Sequence, residues 1–413
     1  VTSASTSAAR AALRDRIDAV TLADEALLIE IRRDLHAHPE LSGREVATTT
    51  FIDQHLRDLG LSPSLLAIGT GLVCDLVVGT PTSESPVVAL RADIDALGLH
   101  DEKAVGYRSQ VDGVAHACGH DVHTTAVLGA ARALVAVGLE AGVSGTVRLV
   151  FEPAEEAVPG GAVDVLSEGW LDGVSAIFGL HCDPRVDVGQ VGCRVGALTS
   201  AADVVEVTVR GPGGHTARPE QTVDLVALLG RVVTRLQPAI DELTEEPGDL
   251  RVVFGAVHAG DASNVIPSHG LVRGSLRTRD HRVWRRAPEL VRAALDTVLA
   301  GTDATWAIAH RRGVPPVVND AAMTGLLENA VRESLGAGAV VPTGQSLGGD
   351  SFAWYLERVP GSYGRLGVHD PESIGPRLDL HASTFDVDER AIRYGAMVLA
   401  TAALDAMRPD GAQ

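Results

Sequence analysis

Residues 116–137 read HACGHDVHTTAVLGAARALVAV. The first eight positions hold one cysteine and three histidines, and from Val122 to Val137 apolar residues recur at helical spacing. Two short apolar runs flank this segment, Val87–Arg91 and Thr146–Phe151, punctuated by Pro86, Gly145 and Pro153. Leu72–Val78 and Ser175–Leu180 extend the series. Short β-branched runs alternating with longer helices predict an α/β layered domain with a mostly parallel central sheet. In such sheets, sites form in the loops beyond the carboxyl ends of the strands.

Residues 1–20 are Ala/Ser-rich and read as a frayed lead-in; helical patterns follow at Leu22–His36 and Glu45–Leu59. After Gly196 the character changes. Val204–Val209, Leu250–Val257, Leu271–Arg277 and Thr305–Ala309 read as strands with one polar face, and Thr222–Leu236 and Pro288–Leu299 as helices. These elements predict a small α+β sandwich, residues 196–311, inserted into a discontinuous domain of 1–195 and 312–413. Pro315-Pro316 marks the return, and Asp320–Leu335 and Val387–Met407 resume the buried-helix pattern.

A length of 413 residues favours two domains over one. Asp plus Glu number 54 against 35 for Lys plus Arg, a net charge of −19 that repels a phosphate backbone and argues against nucleic acid. No apolar run reaches the ~18–20 residues that span a bilayer, and residues 1–30 show no secretory h-region. Four unclustered cysteines fit a reducing, cytoplasmic compartment. The single lysine, Lys103, beside Glu102 in a polar stretch, is a poor Schiff-base candidate.

Cys118 and His120 flank one glycine, so a tight turn can aim both at a borderline-soft ion such as zinc. His123 either joins that cluster or faces the first helical turn. Two further strand ends carry Glu155-Glu156 and His181, and His381 precedes the last helix. Adjacent carboxylates repel unless positive charge lies nearby, and a metal supplies it. Cys118, His120, Glu156, His181 and His381 are five candidate ligands, more than one zinc ion normally holds. They suit two ions, a pair that polarises a carbonyl and activates water, with Glu155 as the nearby general base. Asp93 and Asp95 share one face of an extended segment, as ligands or as carboxylates orienting an imidazole; Asp95 is assigned to the latter. In the inserted segment, His215 can donate to an oxyanion and Asn264 can bind an amide or carboxylate. Arg277 can clamp a carboxylate through its fork. Each also has a plain structural reading, as a turn, a cap or a solvated strand face.

Eight segments together resemble the metal-dependent aminoacylase, carboxypeptidase and amidohydrolase family. The likeness is greatest to the branch of hippurate hydrolases, auxin-conjugate hydrolases and N-acetyl-diaminopimelate deacetylases. The segments are RRDLHAHPELS (32–42), RADIDAL (91–97), HACGHDVHTT (116–125), EPAEE (152–156), GLH (179–181), GGH (213–215), NVIP (264–267) and LHASTFDVDE (380–389). The resemblance implies a catalytic domain like that of zinc aminopeptidases, with an inserted lid and dimerisation domain. It implies two divalent ions per subunit (zinc, manganese, cobalt or nickel) on the five ligands above, and Glu155 as base and then acid. It also implies a homodimer in which His215 can reach the neighbouring site. The expected reaction is hydrolysis of a small N-acyl amino acid or related conjugate, with short-peptide hydrolysis as runner-up. A cysteine hydrolase using Cys118 and a non-catalytic binding protein are the competing classes. Where the family commonly has Gly-x-Glu-Asp-Phe, this chain has Gly348-Gly-Asp350-Ser351-Phe352, which removes one charge and shortens another.

Overall fold

The computed structural model describes residues 2–408. They divide into two compact units: one takes residues up to Leu198, Val318–Gly344 and those from Ser351 onward, the other Thr199–Val317 and Gln345–Asp350.

The first unit opens with helices α1 (Thr2–Ala23), α2 (Glu25–Ala37) and α3 (Val46–Asp58), strands β1 (Ser64–Leu65), β2 (Leu72–Val78) and β3 (Val87–Asp93), then α4 (His120–Val137). It continues through β4 (Gly145–Glu152), α5 (Ala162–Ser167), β5 (Val174–Asp187), β6 (Val191–Cys193) and β7 (Gly196–Ala197). The second unit holds β8 (Ala202–Arg210), β9 (Gly214–His215), α6 (Leu225–Asp241), β10 (Leu250–His258), β11 (Val265–Ile266), β12 (His269–Thr278), α7 (His281–Leu299) and β13 (Thr305–Val314). The first unit resumes with β14 (Val318–Asn319), α8 (Ala321–Leu335), β15 (Val340–Pro342), α9 (Phe352–Leu356), β16 (Gly361–His369) and α10 (Arg390–Ala406).

The eight-stranded sheet runs β1-β2-β4-β3-β5-β16-β6-β15. Its centre is parallel (β4-β3, β3-β5, β5-β16), while β2 and β6 join antiparallel, so the sheet is mixed. Helix α4 buries almost every side chain and α10 most of its own, and their alanines let them pack closely against each other and the sheet. One expectation fails at the start of the chain. Thr2–Ala23 is a helix rather than a frayed lead-in, with Leu13, Ile17 and Thr21 buried. Alanine carries the best helix propensity, and the i, i+4 pair Leu13–Ile17 gives the helix an apolar stripe to bury.

In the second unit a four-stranded antiparallel sheet, β10-β12-β8-β13, packs one face on α6 and α7. Buried and less buried residues alternate along β8 and β12, as expected where one sheet face is covered. This unit returns to the first at Val318, later than the expected residue 312, because β13 runs on to Val314. No described helix is long and apolar enough to cross a membrane.

Candidate metal centre

The turn before α4 is made by Gly119, in the left-handed region at φ 89°. A Cβ there would lie 2.7 Å from Cys182 Sγ, so glycine is required twice over. The turn brings Cys118 and His120 together with His181, from β5. Cys118 Sγ lies 3.6 Å from His181 Nε2. Two groups of ligand atoms, each within 4.8 Å of one another, share the cysteine: Cys118–His120–His181 and Cys118–Glu156–His381. A third, His120–Glu155–Glu156, adds the adjacent acids. All six residues singled out for metal and base chemistry therefore converge.

Each imidazole is aimed by what its Nδ1 touches. His120 Nδ1 lies 2.9 Å from the Asp95 carbonyl and 3.2 Å from Asp95 Oδ1, so it carries the proton. His181 Nδ1 donates to the Cys182 carbonyl at 2.7 Å. In both rings Nε2 is left for the site, and His120 Nε2 is buried with no hydrogen-bond partner among the described residues. A buried nitrogen without a partner is costly, and a divalent cation would satisfy it. His123 takes the other of its two readings. Its Nδ1 donates to Asp93 Oδ1 at 2.6 Å, and its Nε2 accepts the Cys182 N–H at 2.8 Å, so it has no lone pair to offer.

Asp95 supports the centre without reaching into it. Besides His120, its carboxylate accepts the Ser42 hydroxyl at 2.6 Å and the Glu156 backbone N–H at 3.0 Å. Glu155 accepts the Ser351 N–H at 3.1 Å. The loop carrying both acids turns at Ala154, at φ 55°, and His381 sits at φ 62°. Both are positions where a non-glycine residue is strained. His381 is anchored by its N–H on the Ala117 carbonyl at 2.7 Å, and its Nε2 meets Glu156 Oε1 at 3.2 Å.

Burial pushes the Cys118 thiol up. Burial opposes protonation of His120, but Asp93 and Cys118 outweigh it and hold this imidazole well above its usual range. Burial and the Arg365 charge hold His181 well below it. A buried thiol, three imidazoles and a carboxylate facing one another form a donor set suited to borderline-soft divalent ions.

Sequence reasoning missed the charged lattice beneath the centre. Arg91 Nε donates to Glu152 at 2.7 Å, its Nη1 to Asp93 at 2.6 Å and its Nη2 to the Ser351 hydroxyl at 2.9 Å. That hydroxyl donates on to Glu152 at 2.5 Å. Ser351 thus relays hydrogen bonds where an acid was expected, and Arg91 already has two carboxylates to neutralise it. A second lattice ties α2 to the same turn. Arg32 pairs with Asp121 at 2.8 Å and with Asp386 and Glu389, while His36 meets Asp121 at 2.7 Å. Close by, Lys103 Nζ lies 3.1 Å from Asp101, with only 5% of its side chain exposed. The RRDLHAHPELS and FDVDE segments carried this signal, but pairing between distant segments is not written in spacing.

In the other unit, His215 pairs with Val265 across the short β9–β11 ribbon, which also carries Asn264. Arg277 lies apart from them, in a cavity of about 690 Å³ shared with Arg251 and Arg279. Its guanidinium donates to the Leu347 carbonyl at 2.9 Å.

The profile of Peptidase family M20/M25/M40 matches residues 89–405. A longer Rhodococcus jostii (strain RHA1) protein, provisionally named glutamate–cysteine ligase 2-3, is 45% identical over 91% of this chain, which spans 46% of that protein. An N-acetyl-L-cysteine deacetylase of Bacillus subtilis (strain 168) is 36% identical over 89% of this chain and 85% of its own. The crystal structure of the Bacillus subtilis YXEP protein, a dinuclear metal binding peptidase from the M20 family, superposes with a TM-score of 0.81 at 33% identity. It covers 93% of this chain and 98% of that one. With residues 89–405 under the family profile and relatives above 30% identity along most of its length, the chain belongs to peptidase family M20/M25/M40.

Proposed function

We propose that this protein hydrolyses the amide bond of a small N-acyl amino acid, releasing a carboxylic acid and an amino acid. The observation that carries this reading is the convergence of two ligand groups on one shared cysteine, with a second acid on the same loop. Cys118, His120, Glu156, His181 and His381 would hold two divalent ions, and Asp95 would keep His120 aimed. When bound, the ions supply Lewis acidity to the scissile carbonyl. Glu155 takes a proton from the attacking water and delivers it to the amide nitrogen as the C–N bond breaks. The Ser351 N–H keeps that carboxylate oriented. The deacetylase relative, named for an N-acyl amino acid, supports this substrate class.

From the inserted unit, His215 and Asn264 are candidates to bind the developing oxyanion and the amide, and Arg277 to bind a carboxylate. A homodimer formed through that unit is part of the same proposal, as is a cytoplasmic location, which suits four buried free cysteines.

The test is Glu155→Gln in metal-loaded protein. The rate on N-acetyl amino acids should fall by ~10²-fold or more with metal content unchanged. Glu156→Gln should lower metal content too. A near-normal rate in Glu155→Gln would reject the assignment of the base.

A further inference from the structure

The three buried arginines of the described chain are Arg32, Arg91 and Arg365. The first two are each matched by carboxylates. Arg365 is different. It is 6% exposed, its Nε is buried without a hydrogen-bond partner, and it makes no ion pair among the described residues. Burying an arginine without a paired carboxylate is unfavourable, so its natural complement is an anion that no described residue supplies at ion-pair distance.

Its location says where that anion would sit. Arg365 is in register with His181 across the parallel β16–β5 ladder, and paired residues of neighbouring strands project from the same sheet face. On its other side it faces Gly192, where a Cβ would come within 3.2 Å of the Arg365 Cβ. Asp183 feels the charge of Arg365 without pairing with it, and two divalent ions at that site would add further positive charge beside a cation that no carboxylate meets at ion-pair distance among the described residues. The site is therefore built to take a negatively charged ligand group, and Arg277, already donating to Leu347, is the less available of the two clamps.

We propose that Arg365 receives the carboxylate of the N-acyl amino acid, placing the recognition of that group in the same unit as the metal ligands. The inference rests on the substrate class proposed above. The guanidinium fork matches a carboxylate with two parallel hydrogen bonds and has nothing comparable to offer a neutral carboxamide.

The test separates binding from turnover by using metal-loaded Glu155→Gln protein as the parent. Calorimetric titration with N-acetyl-L-methionine and with N-acetyl-L-methioninamide compares the two groups. Adding Arg365→Met should weaken the acid by about 10- to 100-fold and the amide by less than about 3-fold, as loss of a charge-assisted pair requires. Arg365→Lys should recover part of the loss, and Arg277→Ala should change the ratio less than Arg365→Met does; the reverse ranking would assign the carboxylate to Arg277 and overturn the proposal. A structural role makes the opposite prediction for stability. If Arg365 is an unsatisfied cation in the free protein, Arg365→Met should melt at the same temperature as the parent or higher. Equal losses on acid and amide, no binding of either by the parent, or a lower melting temperature in Arg365→Met would each overturn the proposal. Failure of the wild type to hydrolyse any N-acyl amino acid, with the acid-over-amide preference intact, would instead count against the proposed reaction.

Discussion

The two units solve the problem of holding a shape in different ways. The metal-binding unit buries Arg32, Arg91, Asp93, Asp95, Asp121 and Glu152 under its site, each within a hydrogen-bonded lattice. In the inserted unit no described arginine is buried, and its main core is Val, Leu, Ile and Ala from α6, α7 and one sheet face, with a buried acid, Asp203, held by Trp284, His310 and the Gly313 N–H. An apolar sandwich tolerates small shifts, because its contacts have no direction. A lattice of charge-assisted hydrogen bonds fixes atoms to a few tenths of an ångström, which is what a constellation of ligands needs. The first unit has a large apolar core of its own and adds the charged lattice where its ligands must be held in position, whereas the second relies almost wholly on apolar packing.

The comparison breaks most visibly at Arg91. Arg91→Met leaves Asp93 and Glu152 buried without their cation, and denaturant unfolding should show a loss of ~3–5 kcal/mol. A cost below ~1 kcal/mol would mean the lattice is incidental. In the inserted unit the corresponding change is Leu295→Ala, at a fully buried position of α7, expected to cost ~2–5 kcal/mol through lost burial and a cavity, with metal content untouched. Loss of metal from that variant would show the units to be less independent than their cores suggest.

Acid sharpens the contrast. Burial lowers His116 to about 3, and neither ring nitrogen has a hydrogen-bond partner among the described residues. The unfolded imidazole binds a proton near pH 6.5 and the folded one does not. The unfolded state therefore gains protons first as pH falls. The stability this group contributes is complete above about pH 6.5 and declines towards the folded value. Between pH 6.5 and 5 the loss should be about 1.5–2 kcal/mol, and His116→Met should flatten that slope. The smallest effect belongs to Asp224, which caps α6 by accepting the Ala227 N–H at 3.1 Å. Asp224→Ala should cost ~1 kcal/mol and be felt in the inserted unit alone.

Much of this was legible in the linear chain. Period-two and period-3.6 patterns located the sheet strands and the helices around them, because one-sided burial writes itself into spacing. The five ligand candidates and Glu155 announced themselves as rare residue types at strand ends. Illegible were features that depend on which distant segments meet. His123 looks identical to a ligand until the Cys182 N–H fills its second nitrogen. Ser351 looked like a lost charge until Arg91 and Glu152 were found on either side of it. Arg365, in a strand with no motif around it, gave no signal at all. The helix at the chain's start was misread because alanine and serine were taken as disorder, when alanine equally favours a helix that has a surface to lie on.

The ion pair between Lys103 and Asp101 has a practical side. Lys103 is the only lysine of the 413 residues, and its amine is both buried and engaged. All other positively charged side chains, histidine aside, are arginines, so reagents that acylate or cross-link primary amines find no exposed side-chain target on the folded molecule. Proteases that cut after lysine meet one closed bond. Amine reactivity at Lys103 is thus a silent reporter: it should stay near zero while the 101–112 segment is in place and appear when that segment opens, giving a one-site chemical clock for local unfolding beside the metal centre.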